Sequence, residues 1–169
     1  MKLSLETVKK LPPKVLLSLI NRAKEYLKKQ DSYKDFCKEN NLEEDFIDLV
    51  PVKFGDLPVS ARTEKGVITL NYKLLIDGDF FKDIHYLQHE LIHHHQQLYS
   101  DKPTQSADDG NYLDNPYEEE AFKHQIEYID EQFGENEAQK YVDHLLDHHK
   151  FNGKERKDKE QVLMERLDD

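Results

Sequence analysis

Residues 84–93 read Ile84-His85-Tyr86-Leu87-Gln88-His89-Glu90-Leu91-Ile92-His93, and the last five form the pattern H-E-x-x-H. Apolar side chains recur at helical spacing from position 79 to about 99, so the pattern falls inside a helix on independent grounds. At about 100° per residue, histidines four apart differ by roughly 40° in direction, so His89 and His93 project from one face and can share a cation. Glu90 lies roughly 60° beyond His93, close enough to flank an ion without ligating it. Ile84, Leu87, Leu91 and Leu98 fall roughly opposite, giving a helix that buries its back and turns two imidazoles toward a cleft. A solvated histidine-rich face would show the same spacing, so the surroundings of the helix decide.

Upstream, residues 1–49 read as helical. Pro13 opens a segment with Leu16, Leu17, Ile20, Ala23 and Leu27 in register, and shorter pieces follow at 33–37 and 42–49. The period then changes. Residues 50–54, 59–63 and 67–71 are short β-prone runs, punctuated by Gly55-Asp56, Pro58 and Glu64-Lys65-Gly66, which predicts a small sheet ending in a hairpin. Downstream of the motif comes a polar loop, 100–115. Asn115-Pro116 then starts a helix that runs to Gln132 and stops at Gly134, and two further helices are expected over 135 to about 150 and 154–167, separated by Asn152-Gly153. The expected fold is therefore α+β, mainly helical, with a small sheet packed on the motif helix. It forms one domain over 1–169, with an N-terminal helical region (1–49), a sheet plus metal-binding helices (50–132) and C-terminal helices (133–169).

A catalytic zinc site takes three protein ligands and keeps one position open, so a third ligand must be found. The continuation H-E-x-x-H-x-x-G-x-x-H is absent, because Gln96 and Tyr99 occupy the glycine and third histidine positions. The next helix begins Asn115-Pro116-Tyr117-Glu118-Glu119-Glu120-Ala121. Its Glu118 shares a face with Ala121, Phe122, Gln125 and Ile129, whereas Glu120 points roughly the opposite way. A carboxylate among core residues is costly unless paired or metal-bound, and a dication held by two neutral imidazoles is such a partner. Glu118 is thus the expected third ligand, although a first-turn acid favoured by the helix dipole would occupy the same position.

On His89, Glu90, His93 and the N-P-x-E-x-E-A stretch 115–121, the chain resembles the zincin metallopeptidases with a glutamate third ligand, the gluzincin arrangement. The resemblance spans about residues 50–132 and is similar in feel to the minimal zincin domains of phage, prophage and bacterial stress-response proteins. Small zincins of the Glu-x-x-Ala type match Glu118; thermolysin-like enzymes, with the ligand directly before an alanine, would select Glu120, and the helical-face argument favours Glu118. The resemblance implies one Zn2+ ion, Glu90 as general base, a protein or peptide substrate and a strand along the cleft edge, for which 67–70 stands in the matching place, although the β-branched residues at 67–69 fit an ordinary core strand equally well. Related enzymes add a Tyr or His donor for the oxyanion, and Tyr99, Tyr112, Tyr117 and His124 lie near the motifs. A non-catalytic binding or regulatory module on the same scaffold is the alternative function. A helical interaction protein with incidental histidines does not explain the joint placement of His89, His93 and Glu118.

The remaining histidines read differently. His85, one turn before His89, is expected at the cleft rim or behind the ligands, His94 in the core and His95 at the surface. The Asp143-His144 and Asp147-His148-His149 cluster reads as a solvated face rather than a second metal site, with His149 on the buried stripe of Tyr141, Val142, Leu145 and Leu146. Composition narrows the partners. With 24 Lys plus Arg against 35 Asp plus Glu, the net charge of -11 repels a phosphate backbone, which argues against nucleic acid and mildly favours a basic substrate. Cys37 is the only cysteine, so an intrachain disulfide framework is ruled out and a reducing, cytoplasmic location is expected. Neither a signal peptide nor a run of about 20 apolar residues is seen, so no membrane segment is expected. Oligomeric state is not encoded legibly.

Overall fold

The computed structural model describes residues 3–76, 80–99 and 112–167. The fold is mainly helical, with one small mixed sheet. Three helices open the chain: α1 (Leu5–Lys9), α2 (Pro13–Lys28) and α3 (Asp31–Glu39). Proline at its first position starts α2, which buries Ile20, Ala23 and Leu27; Leu17, expected with them, is instead 55% exposed. The start of α3 is capped from afar, since the Glu131 carboxylate accepts the backbone N–H groups of Asp31 and Ser32, each at 2.8 Å. At its end Asn41 adopts φ 55° and the Leu42 N–H returns to the Cys37 carbonyl at 2.8 Å. That reversal breaks the helical segment expected over 42–49, and only a 3-10 turn, Phe46–Leu49, remains of it.

The sheet contains β1 (Val52–Gly55), β2 (Ala61–Glu64) and β3 (Val67–Asn71) in the order β1-β3-β2. β2 and β3 form the expected hairpin, turned by Lys65 at φ 51° and Gly66 at φ 80°, the pair of positive values that a two-residue hairpin turn requires. β1 lies parallel to β3 on its other side. The Asn71 amide makes this crossing possible, donating to the Leu57 and Val59 carbonyls at 2.9 and 2.8 Å and so satisfying the connecting segment. β3 is therefore central and paired along both sides. The edge position expected for 67–70 is therefore not met, because a parallel partner, invisible to local periodicity, occupies the second side of β3.

A 3-10 turn, Phe80–Asp83, leads into α4 (Ile84–Tyr99), which lies across β2 and β3. Ile84, Leu87 and Leu91 are buried as expected, but Leu98 is 53% exposed, its side chain lying over the hairpin turn at Gly66. After a 3-10 turn at Tyr112–Asp114, α5 (Pro116–Phe133) begins as the sequence indicates: Asn115 Oδ1 accepts the Tyr117 N–H at 2.9 Å and Pro116 sits in the first turn. The greater part of the polar loop expected over 100–115 lies outside the described residues. Gly134, at φ 93°, ends α5 and leads directly into α6 (Glu135–His148), followed by α7 (Gly153–Leu163) and a 3-10 turn, Glu165–Leu167.

Two apolar clusters result, and α5 belongs to both. Ala121 and Tyr128 join the cluster of α2, α3, the sheet and α4, while Phe122, Ile126 and Ile129 join Val142, Leu145, Leu146 and Leu163. Apolar burial on two sides fixes the rotation of α5 about its axis, and with it the direction of Glu118 toward α4.

Candidate metal centre

His89 and His93, on successive turns of α4, meet Glu118, from the first turn of α5. His89 Nε2 lies 3.3 Å from Glu118 Oε2, His93 Nε2 lies 3.1 Å from Glu118 Oε1, and the two imidazole Nε2 atoms are 3.1 Å apart. All three side chains are buried, and among the described residues this is the one group whose His, Cys or carboxylate atoms could hold an ion together. A tetrahedral ion with bonds of about 2.0–2.1 Å keeps its ligands roughly 3.3–3.4 Å apart, close to these separations. Glu120, the other glutamate considered, is exposed and outside the group.

The hydrogen bonds behind the ligands define their chemistry. Gln96 donates from Nε2 to the Tyr117 carbonyl at 3.0 Å, so its Oε1, 2.8 Å from His93 Nδ1, must accept from that nitrogen. The proton of neutral His93 therefore sits on Nδ1, and its Nε2 presents a lone pair toward His89 Nε2. With the His89 proton on Nδ1 as well, facing Gln125 Oε1, two acceptors would stand 3.1 Å apart, an arrangement that a cation between them relieves. Glu118 Oε2 adds to the demand, being buried without a hydrogen bond among the described residues. The donor set, two imidazole nitrogens and a carboxylate, suits a divalent transition metal.

The electrostatics agree. Burial alone would lower the pKa of His93, but the hydrogen bond and charge of Glu118, with Glu90 adding, raise it to about 9. Burial alone would raise that of Glu118, yet the adjoining His89 and His93 imidazoles hold it well below the usual carboxylate range. Without a metal, a proton serves as the cation.

Glu90 is buried beside this group but is not part of it. The Thr63 hydroxyl, from β2, lies 2.9 Å from Glu90 Oε2 and 3.1 Å from the Glu90 backbone carbonyl, so the sheet edge holds the carboxylate in place. Phe122 packs edge-on against the His89 ring, with centroids 4.5 Å apart. His85 stands behind His89: its Nδ1 is 2.7 Å from Gln125 Nε2, whose Oε1 is 2.8 Å from His89 Nδ1. Burial, with the charge of His89 adding, pushes the His85 pKa down to about 3.

The other expectations divide. His94 is a core histidine, with Nδ1 2.8 Å from the Gly66 carbonyl. His95, expected at the surface, is half-buried with its ring edge-on to Phe36 and Phe46, because α3 and the turn before β1 close over that side of α4. His124 faces Phe36 and α3, where burial lowers its pKa to about 3, so it is no candidate oxyanion donor. Tyr99 is 66% exposed, and the side chain of Tyr112 lies outside the described residues. His144 and His148 are exposed on α6, outside any group of metal-holding geometry among the described residues. Sequence reasoning missed Thr63 and gave no role to Gln96 and Gln125; for Gln125 the signal was an amide on the same buried face as Glu118.

Comparisons with protein-family models, with curated proteins and with solved structures returned no match. Among the described residues, no helix is long and apolar enough to cross a membrane.

Proposed function

We propose that the protein is a zinc-dependent metallopeptidase that hydrolyses peptide bonds in a protein or peptide substrate. The observation that carries this reading is the convergence of His89, His93 and Glu118 as one buried group, with the Glu90 carboxylate alongside but uncommitted to it. A purely structural ion would need no such base. When bound, zinc supplies Lewis acidity and brings a bound water toward a pKa of about 7. Glu90 takes the proton of the attacking water as its oxygen bonds to the scissile carbon, and returns it to the amine as the C–N bond breaks. Thr63 keeps the Glu90 carboxylate aimed for both transfers. β2, with no strand on its outer side among the described residues, offers main-chain groups to an extended peptide. The acidic surface favours basic segments of substrate, and the single buried cysteine, Cys37, is consistent with a cytoplasmic setting.

The test is direct. Protein purified without a histidine tag should carry one equivalent of zinc, lose it in His93→Ala, and cut members of a random peptide library in a chelator-sensitive way. Stoichiometric metal with no product from the library would turn the reading toward a binding module; no metal at all would remove the peptidase and leave only a metal-free binding module.

Thr63→Val tests the positioning of Glu90. The valine fills the same space without the hydroxyl, and a hydrogen bond to a charged group is worth about 1.5–3 kcal/mol, so turnover should fall roughly 10- to 100-fold. Zinc content should stay at one equivalent. An unchanged kcat would show that the contact has no part in the chemistry.

A further inference from the structure

We infer that Gln96 and Gln125 are positioning residues, which together lock both ligand imidazoles with protons on Nδ1 and lone pairs on Nε2. The inference rests on the metal-centre reading above. The two amides act from opposite sides of the same group. Gln96, from the helix that carries the histidines, is tied to the chain just before the third ligand, by its bond to the Tyr117 carbonyl at 3.0 Å, and accepts from His93 at 2.8 Å. Gln125, from the helix that carries the glutamate, accepts from His89 at 2.8 Å and gives its amide N–H to His85 at 2.7 Å. Each therefore spans α4 and α5. The ligand geometry and the packing of the two helices are set by the same four contacts.

Both glutamines are buried, at 5% and 1% exposure, so neither is easily replaced by water as an acceptor. The direction of Gln96 is forced, because a carbonyl cannot donate. That of Gln125 follows from its position: an ion on His89 Nε2 requires the proton on Nδ1, so Oε1 must face His89, and His85 must accept through Nδ1. His85 thus completes the arrangement as a neutral acceptor, with its own proton on Nε2. The choice of amide over carboxylate has a charge consequence. With an ion bound, one carboxylate and two neutral imidazoles offset a dication incompletely, and neutral amides behind them leave the ion strongly electrophilic.

The experiment is a Co2+ titration of the chelator-treated full-length protein, read by its visible absorption, for wild type, Gln96→Met, Gln125→Met and Gln125→Glu, with circular dichroism of each. Methionine keeps the volume and removes the acceptor. Loss of the contacts behind a ligand typically weakens metal binding about 10- to 100-fold, and that loss is expected in both methionine variants, with altered absorption bands. Gln125→Glu keeps an acceptor for His89, and His85 can shift its proton to meet the second oxygen, so this variant should bind Co2+ at least as tightly as wild type. Methionine variants that bind like wild type, or a glutamate variant as weak as Gln125→Met, would overturn the inference while leaving the metal centre standing. Wild-type protein that takes up no Co2+ would bring down the metal centre itself, and this with it. Two independent positions and the glutamate rescue keep the result readable if one variant fails to fold.

Discussion

Glu90→Gln should retain its zinc and its fold while losing turnover about 10²- to 10⁴-fold, the usual contribution of a positioned general base. The amide is matched in size and its oxygen can still accept from the Thr63 hydroxyl, so the sheet edge stays docked on α4. His89, His93 and Glu118 are untouched, so affinity for the ion should be close to that of wild type. What disappears is a group able to take a proton from water and hand it on. Zinc content by atomic emission and initial rates on a peptide taken from the library screen check the two halves separately. Equal rates for variant and wild type would remove the hydrolytic proposal, because no other carboxylate among the described residues is buried beside the ligand group. Loss of zinc would mean that Glu90 binds the ion rather than serving it.

The grouping of His89, His93 and Glu118 was readable from periodicity. Helical spacing put His89 and His93 on one face and Glu118 on the buried side of its own helix, and the structure brings the three together. Short-range geometry sufficed because each residue's direction is fixed by its own helix. Topology was less legible. Nothing local told that β1 would pair in parallel with β3 and make β3 the central strand, since that depends on a crossing held by the Asn71 side chain. The supporting contacts were hidden for a related reason. Thr63 reaches Glu90 across 27 positions and Gln125 reaches His89 across 36, so the chemistry of each contact exists only once the elements meet. Gln96 is the instructive case: only three residues from His93, it reads as the place where one ligand pattern breaks, whereas in the fold it accepts from the His93 ring.

Removal of the third ligand carries the second large effect. Glu118→Gln leaves two neutral imidazoles to hold a dication in a buried site, and breaking a buried ionic group costs about 3–5 kcal/mol, so zinc affinity should drop roughly 10²- to 10⁴-fold. Proton counting separates this role from a merely structural one. In the metal-free protein the raised pKa of His93, about 9, means that it carries a proton at neutral pH which an arriving ion must displace. Wild type should therefore release about one proton per zinc between pH 7 and 8, with the release fading as pH climbs past about 9. The same shift sets the stability of the metal-free state. Its His93 contribution is full below the ordinary value of 6.5 and lost as pH rises through about 9, while the depressed Glu118 contributes above its ordinary value of 4.5 and is lost as pH falls below it. In Glu118→Gln the main cause of the raised His93 value is gone, and burial then favours the neutral ring. Zinc uptake by that variant should release almost no proton. Calorimetric titrations in two buffers of different ionisation enthalpy measure the count, and a wild-type signal independent of buffer would refute the coupling of His93 to Glu118.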